Sequence, residues 1–222
     1  MMKKMTKAIF FGLLFLIVAL QFMNANYFLG MVLFTLNCYG ILIFEKRETT
    51  RLFYSAIEKL YICVDYDAFI LKCQFLERNR LMPLVSSPTI MLLQAIGHYH
   101  GGNKARASTE MDQLVCKGHL LFWKNAYGAM LSQRDTDVEN MEALIFLVPP
   151  KYVNLSRQRL DVLKLIVRSK KDKDEVAKLR AQVEAHLLIA ELSLMMAELE
   201  TDQRLKNYHL LVSKNLSKKC SL

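Results

Sequence analysis

Residues 8–44 of the chain read AIFFGLLFLIVALQFMNANYFLGMVLFTLNCYGILIF, and not one of these side chains is charged. As a single helix the stretch would be about 55 Å long at roughly 1.5 Å per residue, far longer than a bilayer hydrocarbon core of about 30 Å. Its one cluster of polar turn formers is Asn24-Ala25-Asn26. We therefore predict a transmembrane helical hairpin with spans at about 8–23 and 27–44.

The charges on either side of the hairpin predict its orientation. Basic residues precede and follow the apolar stretch, whereas the turn has no charge; they are Lys3, Lys4 and Lys7 before it, and Lys46, Arg47 and Arg51 after it. Because cytoplasmic flanks carry the excess of Lys and Arg, we expect both termini in the cytoplasm. The predicted location is the plasma membrane.

A secretory signal peptide is the competing interpretation of the same start, with cleavage near Ala25. Cleavage after Ala25 would place Met23 three residues before the cut, where a small residue is preferred. A second apolar stretch also follows at once. Both features favour the hairpin, in which we expect Gly12 to approach Asn37 and Cys38 closely.

The charge of the remaining chain favours a lipid surface over nucleic acid. The net charge is +9, and only five of the 30 basic and two of the 21 acidic residues lie within residues 1–49. The surplus of six positive charges that follows is scattered, whereas nucleic-acid binding requires a concentrated basic stripe. We divide the chain into a transmembrane hairpin, 1–48, and a cytoplasmic domain, 49–222.

Five cysteines occur in the chain, and no two of them form a CxxC pair. An odd number of widely spaced cysteines is typical of free thiols in a reducing compartment. We predict no disulfide framework.

The body after Arg51 is predicted to be entirely helical, since its apolar residues recur at helical spacing and it has few prolines and glycines. We expect helix starts at Asp65 or Asp67, Ser87-Pro88, Asn103, His119 and Asn154 or Ser156. Further predictions are a loop at Leu81–Ser86, a pair at 119–133 and 137–147, a long helix over about 176–200, and a last helix at 202–216. Short turns between helices require antiparallel neighbours.

Pair starts near Arg51, Pro88, His119 and Ser156 recur every 30 to 40 residues or so, the range of α-solenoid repeats. One unit carries small and aromatic residues at repeat-like spacing, namely Ala95, His98, Gly102, Ala107, Met111 and Leu114. This unit resembles a tetratricopeptide repeat, although Met91 takes the tryptophan position and no proline closes the unit. The layout resembles small uncharacterised two-span membrane proteins of Gram-positive bacteria. The resemblance implies a membrane-anchored interaction module; a generic stack of helical hairpins is the alternative.

Motifs for common enzyme chemistry are missing from the sequence, which contains no GxGxxG, GxxxxGK[ST], HExxH or GxSxG. His98-Tyr99-His100 is not a convincing metal site, because residues two apart on a helix point about 200° apart. Asp135–Glu139 resembles the start of a calcium loop but lacks its glycine and its closing glutamate. We predict no catalytic residue, cofactor, metal or small-molecule substrate.

The sequence favours a binding surface instead. Solenoids bind partners through the first helix of each pair, and our candidate residues there are His98, Tyr99, Trp123 and Tyr127. The predicted function is a non-enzymatic adaptor that holds a protein or peptide partner at the cytoplasmic face of the membrane. The alternatives are an accessory or assembly subunit that uses the hairpin as its interface, and an enzyme whose acid–base residues come from distant helices.

Overall fold

A computed structural model describes residues 4–79, 83–132, 138, 141–168 and 171–217, and every regular element in these ranges is helical. This confirms the predicted all-α class. The helices are α1 (Lys4–Met23), α2 (Tyr27–Tyr61), α3 (Tyr66–Asn79), α4 (Pro83–His100), α5 (Lys104–Gln113), α6 (His119–Ser132), α7 (Met141–Leu144), α8 (Val153–Val167), α9 (Lys173–Gln182), α10 (His186–Leu199) and α11 (Gln203–Ser217), with 3₁₀ turns at Ile145–Leu147 and Pro150–Tyr152.

Helices α1 and α2 form the predicted hairpin, which turns at Asn24–Asn26. Two helices are long and apolar enough to cross a membrane, Met5–Met23 and Tyr27–Tyr61, and their most apolar 18-residue windows have mean hydropathies of 2.0 and 1.9. Ring contacts join the legs, and the Phe15 and Phe34 ring centroids lie 5.8 Å apart.

The close approach inside the hairpin is at a different glycine from the one we expected. A Cβ atom on Gly30 would lie 3.1 Å from the Phe22 ring, whereas one on Gly12 would meet nothing within 4 Å. The expectation for Gly12 is therefore wrong. Its assumption that a small residue marks a tight contact fails because the facing side chains leave space there.

Helix α2 continues from the apolar leg into the centre of the body. Its 35 residues form one uninterrupted helix of about 52 Å. The half that follows the apolar leg buries one face in the body, with Phe53, Tyr54, Ile57, Leu60 and Tyr61 all at 0% exposure. The hairpin and the body thus share one rigid element, and the predicted boundary at residues 48/49 falls inside it.

The other helices of the body pack around α2. Helices α3 and α4 contact α2, α6 contacts α4 and α8, and α10 contacts α8 and returns to contact α2. The contact between α2 and α10 joins two helices that are far apart in the sequence. Helix α11 packs along α10.

The helix starts predicted at Asp65 for α3 and at Asn103 for α5 are confirmed. The Asp65 Oδ1 atom accepts a hydrogen bond of 2.9 Å from the Ala68 N–H, and the Asn103 Oδ1 atom accepts one of 3.2 Å from the Arg106 N–H. Helix α4 ends before Gly102, whose φ of +85° favours glycine.

Three predicted boundaries are wrong. Helix α4 begins at Pro83, so Ser87-Pro88 lies inside it and residues 83–86 are helical; proline at a first helical position explains the earlier start. Helix α8 begins at Val153, so neither Asn154 nor Ser156 caps it. The long helix predicted over 176–200 is divided at residues 183–185, where buried Val183 and Ala185 adopt extended backbone angles.

The third predicted pair is only partly within the described residues. Helix α6 matches its first member, and α7 with the following 3₁₀ turn covers the end of its second. The calcium-like motif at Asp135–Glu139 lies outside the described residues apart from Val138.

Candidate functional site

A buried arginine lies where four helices of the body meet. Arg159 of α8 is 0% exposed, and its guanidinium forms an ion pair with Glu191 of α10. The guanidinium carbon lies 5.6 Å from the ring centroid of Tyr61 on α2 and 5.8 Å from that of Tyr127 on α6. Its Nη2 atom also contacts the Met130 Sδ atom. One cation thereby connects four helices through an ion pair and two aromatic faces.

The tyrosine hydroxyls extend this network to α4. The Tyr61 and Tyr127 hydroxyls are 2.9 Å apart, and the Tyr127 hydroxyl lies 2.7 Å from the His100 Nε2 atom. Burial and, to a smaller extent, the Arg159 charge lower the pKa of His100 to about 3. The unprotonated nitrogen of a neutral imidazole can accept a hydrogen bond from the Tyr127 hydroxyl.

Burial also keeps the tyrosines protonated. It raises the pKa of Tyr61 to about 12 against the opposing effect of Arg159, and it raises that of Tyr127 well above its ordinary value. Burial alone would lower the pKa of Arg159, but Glu191 and the two tyrosines raise it. Near neutral pH the histidine is therefore neutral and the tyrosines are protonated, and their hydrogen bonds connect α2, α4 and α6.

A second aromatic cluster lies on α2 between this network and the apolar hairpin. The Tyr54 and Tyr152 rings stack with centroids 4.1 Å apart and planes 9° apart. The Trp123 Nε1–H donates to the Tyr54 hydroxyl at 3.4 Å. His119 lies beside the cluster at 5.4 Å from Tyr54, and burial lowers its pKa to about 4.

The structure divides the four predicted partner-binding residues into two groups. Trp123 and Tyr127 are 0% exposed and belong to the core, so no partner reaches them in this conformation. His98 and Tyr99 are partly exposed at the end of α4. The His98 Nε2 atom lies 3.5 Å from a Glu110 carboxylate oxygen, which also accepts a hydrogen bond of 2.9 Å from Arg106 Nε.

Tyr99 combines a buried and an accessible environment. Its ring packs 5.4 Å from that of Tyr127 in the core, and the Lys104 Nζ atom lies 5.9 Å from its ring centroid at the surface. Lys104 and Arg106 are both exposed. We call His98, Tyr99, Lys104 and Arg106 the distal edge, because they lie beyond the end of α2 that is farther from the hairpin.

The base of the hairpin holds an ion cluster that sequence reasoning missed. Lys7 of α1 is 3% exposed; its Nζ atom lies 3.1 Å from a Glu45 carboxylate oxygen and also pairs with Glu48. Both glutamates belong to α2 and are buried. Their spacing from Leu52 and Ala56 places all four residues on one helix face, which is the signal that predicts their burial.

Two open cavities lie on the body. One, of about 230 Å³, is lined by Glu58, Lys151, Tyr152, Gln158 and Glu184 among others. The other, of about 630 Å³, includes Glu142, Phe146, Arg157 and Asp161. Within the described ranges no three His, Cys, Asp or Glu side chains are grouped to hold a metal ion. The imidazoles of His98 and His100 diverge, one toward α5 and the other toward α6.

Comparison with known proteins gives this chain no relative. No protein-family profile matches it, and no curated protein or solved structure is similar enough to count as a match.

Proposed function

We propose that this protein is a non-enzymatic, membrane-anchored adaptor that binds a protein or peptide partner at the cytoplasmic face of the plasma membrane. In this proposal residues 8–23 and 27–44 span the membrane, both termini are cytoplasmic, and the tetratricopeptide-like body presents the partner surface. The carrying observation is the continuity of α2, which is at once the second leg of the hairpin and the central helix of the body. Because the second spanning helix is also the central helix of the body, it holds the body at a fixed distance from the membrane.

The distal edge is the partner surface we favour. Aromatic and cationic side chains occur together there, with Lys104 beside the Tyr99 ring and Arg106 61% exposed. Aromatic residues and arginine are enriched where proteins bind each other. The exposed cations suit an acidic segment. Holding such a partner at the membrane raises its effective concentration near other membrane-bound proteins without any new contact.

Crosslinking in the cells that make the protein tests the adaptor role. The full chain is compared with a Lys104→Glu/Arg106→Glu variant and with a matched variant, Lys178→Glu/Arg204→Glu, whose charges are exposed elsewhere. We expect a reproducible set of crosslinked proteins that the distal-edge variant loses and the matched variant retains. Recovery of lipid with no reproducible protein would contradict the adaptor role.

The second candidate is an accessory or assembly subunit of a larger membrane complex. It is supported by the apolar side chains that the hairpin directs outward, such as Phe28 at 84% exposure and Leu36 at 61%, since these could contact other spanning helices as well as lipid. Replacing residues 8–44 with an unrelated two-span hairpin, in helical register with Glu45, separates the candidates. An adaptor keeps its crosslinked partners after the exchange, whereas an accessory subunit loses them.

A further inference from the structure

The start of α6 lies next to the part of α2 that leaves the hairpin. The Thr50 Oγ1 and His119 Nε2 atoms are 3.3 Å apart, and the Phe53 and His119 ring centroids are 5.7 Å apart. From there α2 and α6 run side by side in the same direction to the Tyr61–Tyr127 contact. Residues 114–118, which precede α6, therefore lie at the hairpin end of the body. Thr50 follows Phe44 by six residues, or about 9 Å along the helix.

Residues 114–118 expose an apolar and a basic side chain. Leu114 and Cys116 are buried, whereas Val115 is 78% exposed and Lys117 is also exposed. This alternation follows from the extended backbone after α5, in which successive side chains point to opposite sides. Val115 is an apolar side chain with no cover from its own chain.

The exposed charges on α2 just after the apolar leg, and at Lys117, are positive. On α2, Lys46, Arg47 and Arg51 are exposed, while Glu45 and Glu48 are buried against Lys7. Lys46 lies one helical turn before Thr50, whose Oγ1 atom is 3.3 Å from the His119 Nε2 atom, and this contact places Lys46 near the start of α6. The exposed acid closest in sequence to Val115 is Asp112 at the end of α5. Within residues 45–51 of α2, the glutamates are therefore buried and the cations are exposed.

We propose that Lys46, Arg47, Arg51, Val115 and Lys117 form a membrane-proximal collar that docks on the anionic lipid surface of the inner leaflet. The inference rests on the proposed mounting in the membrane and adds that the body lies against the bilayer. The cations contact acidic headgroups, and Val115 enters the interface between headgroups and acyl chains. Basic groups beside a spanning helix are attracted to anionic lipid in this way. The surface is continuous with the hairpin, so no other class of partner is needed to cover it.

Nitroxide labels on the full chain test the collar. Single cysteines replace Val115, Leu36 in the hairpin, and Phe146, in a chain with Cys38→Ala, Cys63→Ser and Cys220→Ser. Phe146 is the matched control because it is 79% exposed and lines a cavity together with Val153 and Leu160. Their neighbours Tyr152 and Arg159 contact Tyr54 and Tyr61, which lie about 15 and 25 Å along α2 from Phe44. Accessibility to oxygen and to a water-soluble relaxant is measured in vesicles of phosphatidylcholine, with and without phosphatidylglycerol.

We expect Leu36 to be immersed in lipid in both vesicles, Val115 to be immersed only with phosphatidylglycerol, and Phe146 to remain in water. Lys46→Glu and Lys117→Glu should each lower the ratio of docked to undocked Val115 labels at least about fivefold, and Lys178→Glu should leave it unchanged. The collar is overturned, but the membrane mounting is not, if the Val115 label is as accessible to the water-soluble relaxant as the Phe146 label while the Leu36 label is immersed in lipid. A Leu36 label that is accessible to the water-soluble relaxant overturns both the mounting and the collar.

Discussion

The Lys7 Nζ atom lies 3.1 Å from a carboxylate oxygen of Glu45, and both side chains are almost completely buried. This contact joins the first turns of α1 to α2 where the apolar leg ends. A buried cation that touches two carboxylates fixes the register of the hairpin legs, because sliding either leg would separate charges that water does not reach.

Lys7→Met should destabilise the protein strongly. The change removes the cation that Glu45 and Glu48 both contact, and losing one partner of a buried ion pair typically costs about 3–5 kcal/mol. In detergent micelles we expect the midpoint of thermal unfolding to fall by roughly 10 °C.

A variant that lacks all three charges of the cluster provides the control for Lys7→Met. The triple variant Lys7→Met/Glu45→Gln/Glu48→Gln should recover most of the loss, and Lys46→Met, at an exposed position, should change the midpoint little. A Lys7→Met variant as stable as the parent would contradict the role of the cluster.

Tyr127→Phe should weaken the network between α2, α4 and α6. The Tyr127 hydroxyl contacts both His100 and the Tyr61 hydroxyl, so its removal leaves the buried Tyr61 hydroxyl and the partly buried His100 ring with one partner fewer each. We expect a loss of about 1–3 kcal/mol in the free energy of unfolding, measured by chemical denaturation of the full chain in detergent. Tyr208→Phe is the control, since Tyr208 is 55% exposed and should change stability by less than about 0.5 kcal/mol. Equal effects of the two changes would rule out a buried network.

The stability of the protein should fall as the pH falls below about 6.5. Above that value His100 is neutral in both states and contributes no slope. Between about 6.5 and its folded pKa of about 3, only the unfolded chain binds the proton, so acid favours unfolding. For this partly buried ring the slope is about 1 kcal/mol per pH unit or less. His119, with a folded pKa of about 4, adds to it.

His100→Asn separates the contribution of this ring from those of the other titrating groups. Between pH 6.5 and 4.5 we expect the free energy of unfolding to decline less steeply in the variant than in the parent. The difference in slope corresponds to at most one bound proton. His186→Asn, at an exposed position, should keep the parental slope. Identical slopes in the parent and His100→Asn would show that the imidazole is protonated in the folded state.

The sequence predicts those parts of the fold that depend on local chemistry. The uncharged stretch with Asn24–Asn26 inside it predicts the hairpin, Asp65 and Asn103 predict helix starts, and Gly102 predicts a helix end. The division at residues 183–185 has no such signal, since no glycine or proline occurs there; tertiary packing of Val183 and Ala185 decides it. Burial of the core aromatic residues likewise depends on which helices surround α2.

The candidate site was harder to predict than the fold. Arg159 lies on the same helix face as Leu155, Leu163 and Ile166, and an arginine on an apolar face is the pattern that marks a buried cation. Its partner Glu191 could not be identified, because the sequence does not show that α10 returns to the centre of the body. The same limit applies to Trp123 and Tyr127, whose aromatic character fits a core and a binding surface equally well.

Labelling from one side of a sealed membrane tests the mounting on which the account depends. Single cysteines at Asn26 and Tyr208, both exposed, are placed in the chain with Cys38→Ala, Cys63→Ser and Cys220→Ser and treated with a membrane-impermeant maleimide. In right-side-out vesicles we expect the reagent to reach the cysteine at residue 26 but not the one at residue 208, and in inverted vesicles we expect the opposite result. Labelling of both positions from the same side would contradict the mounting.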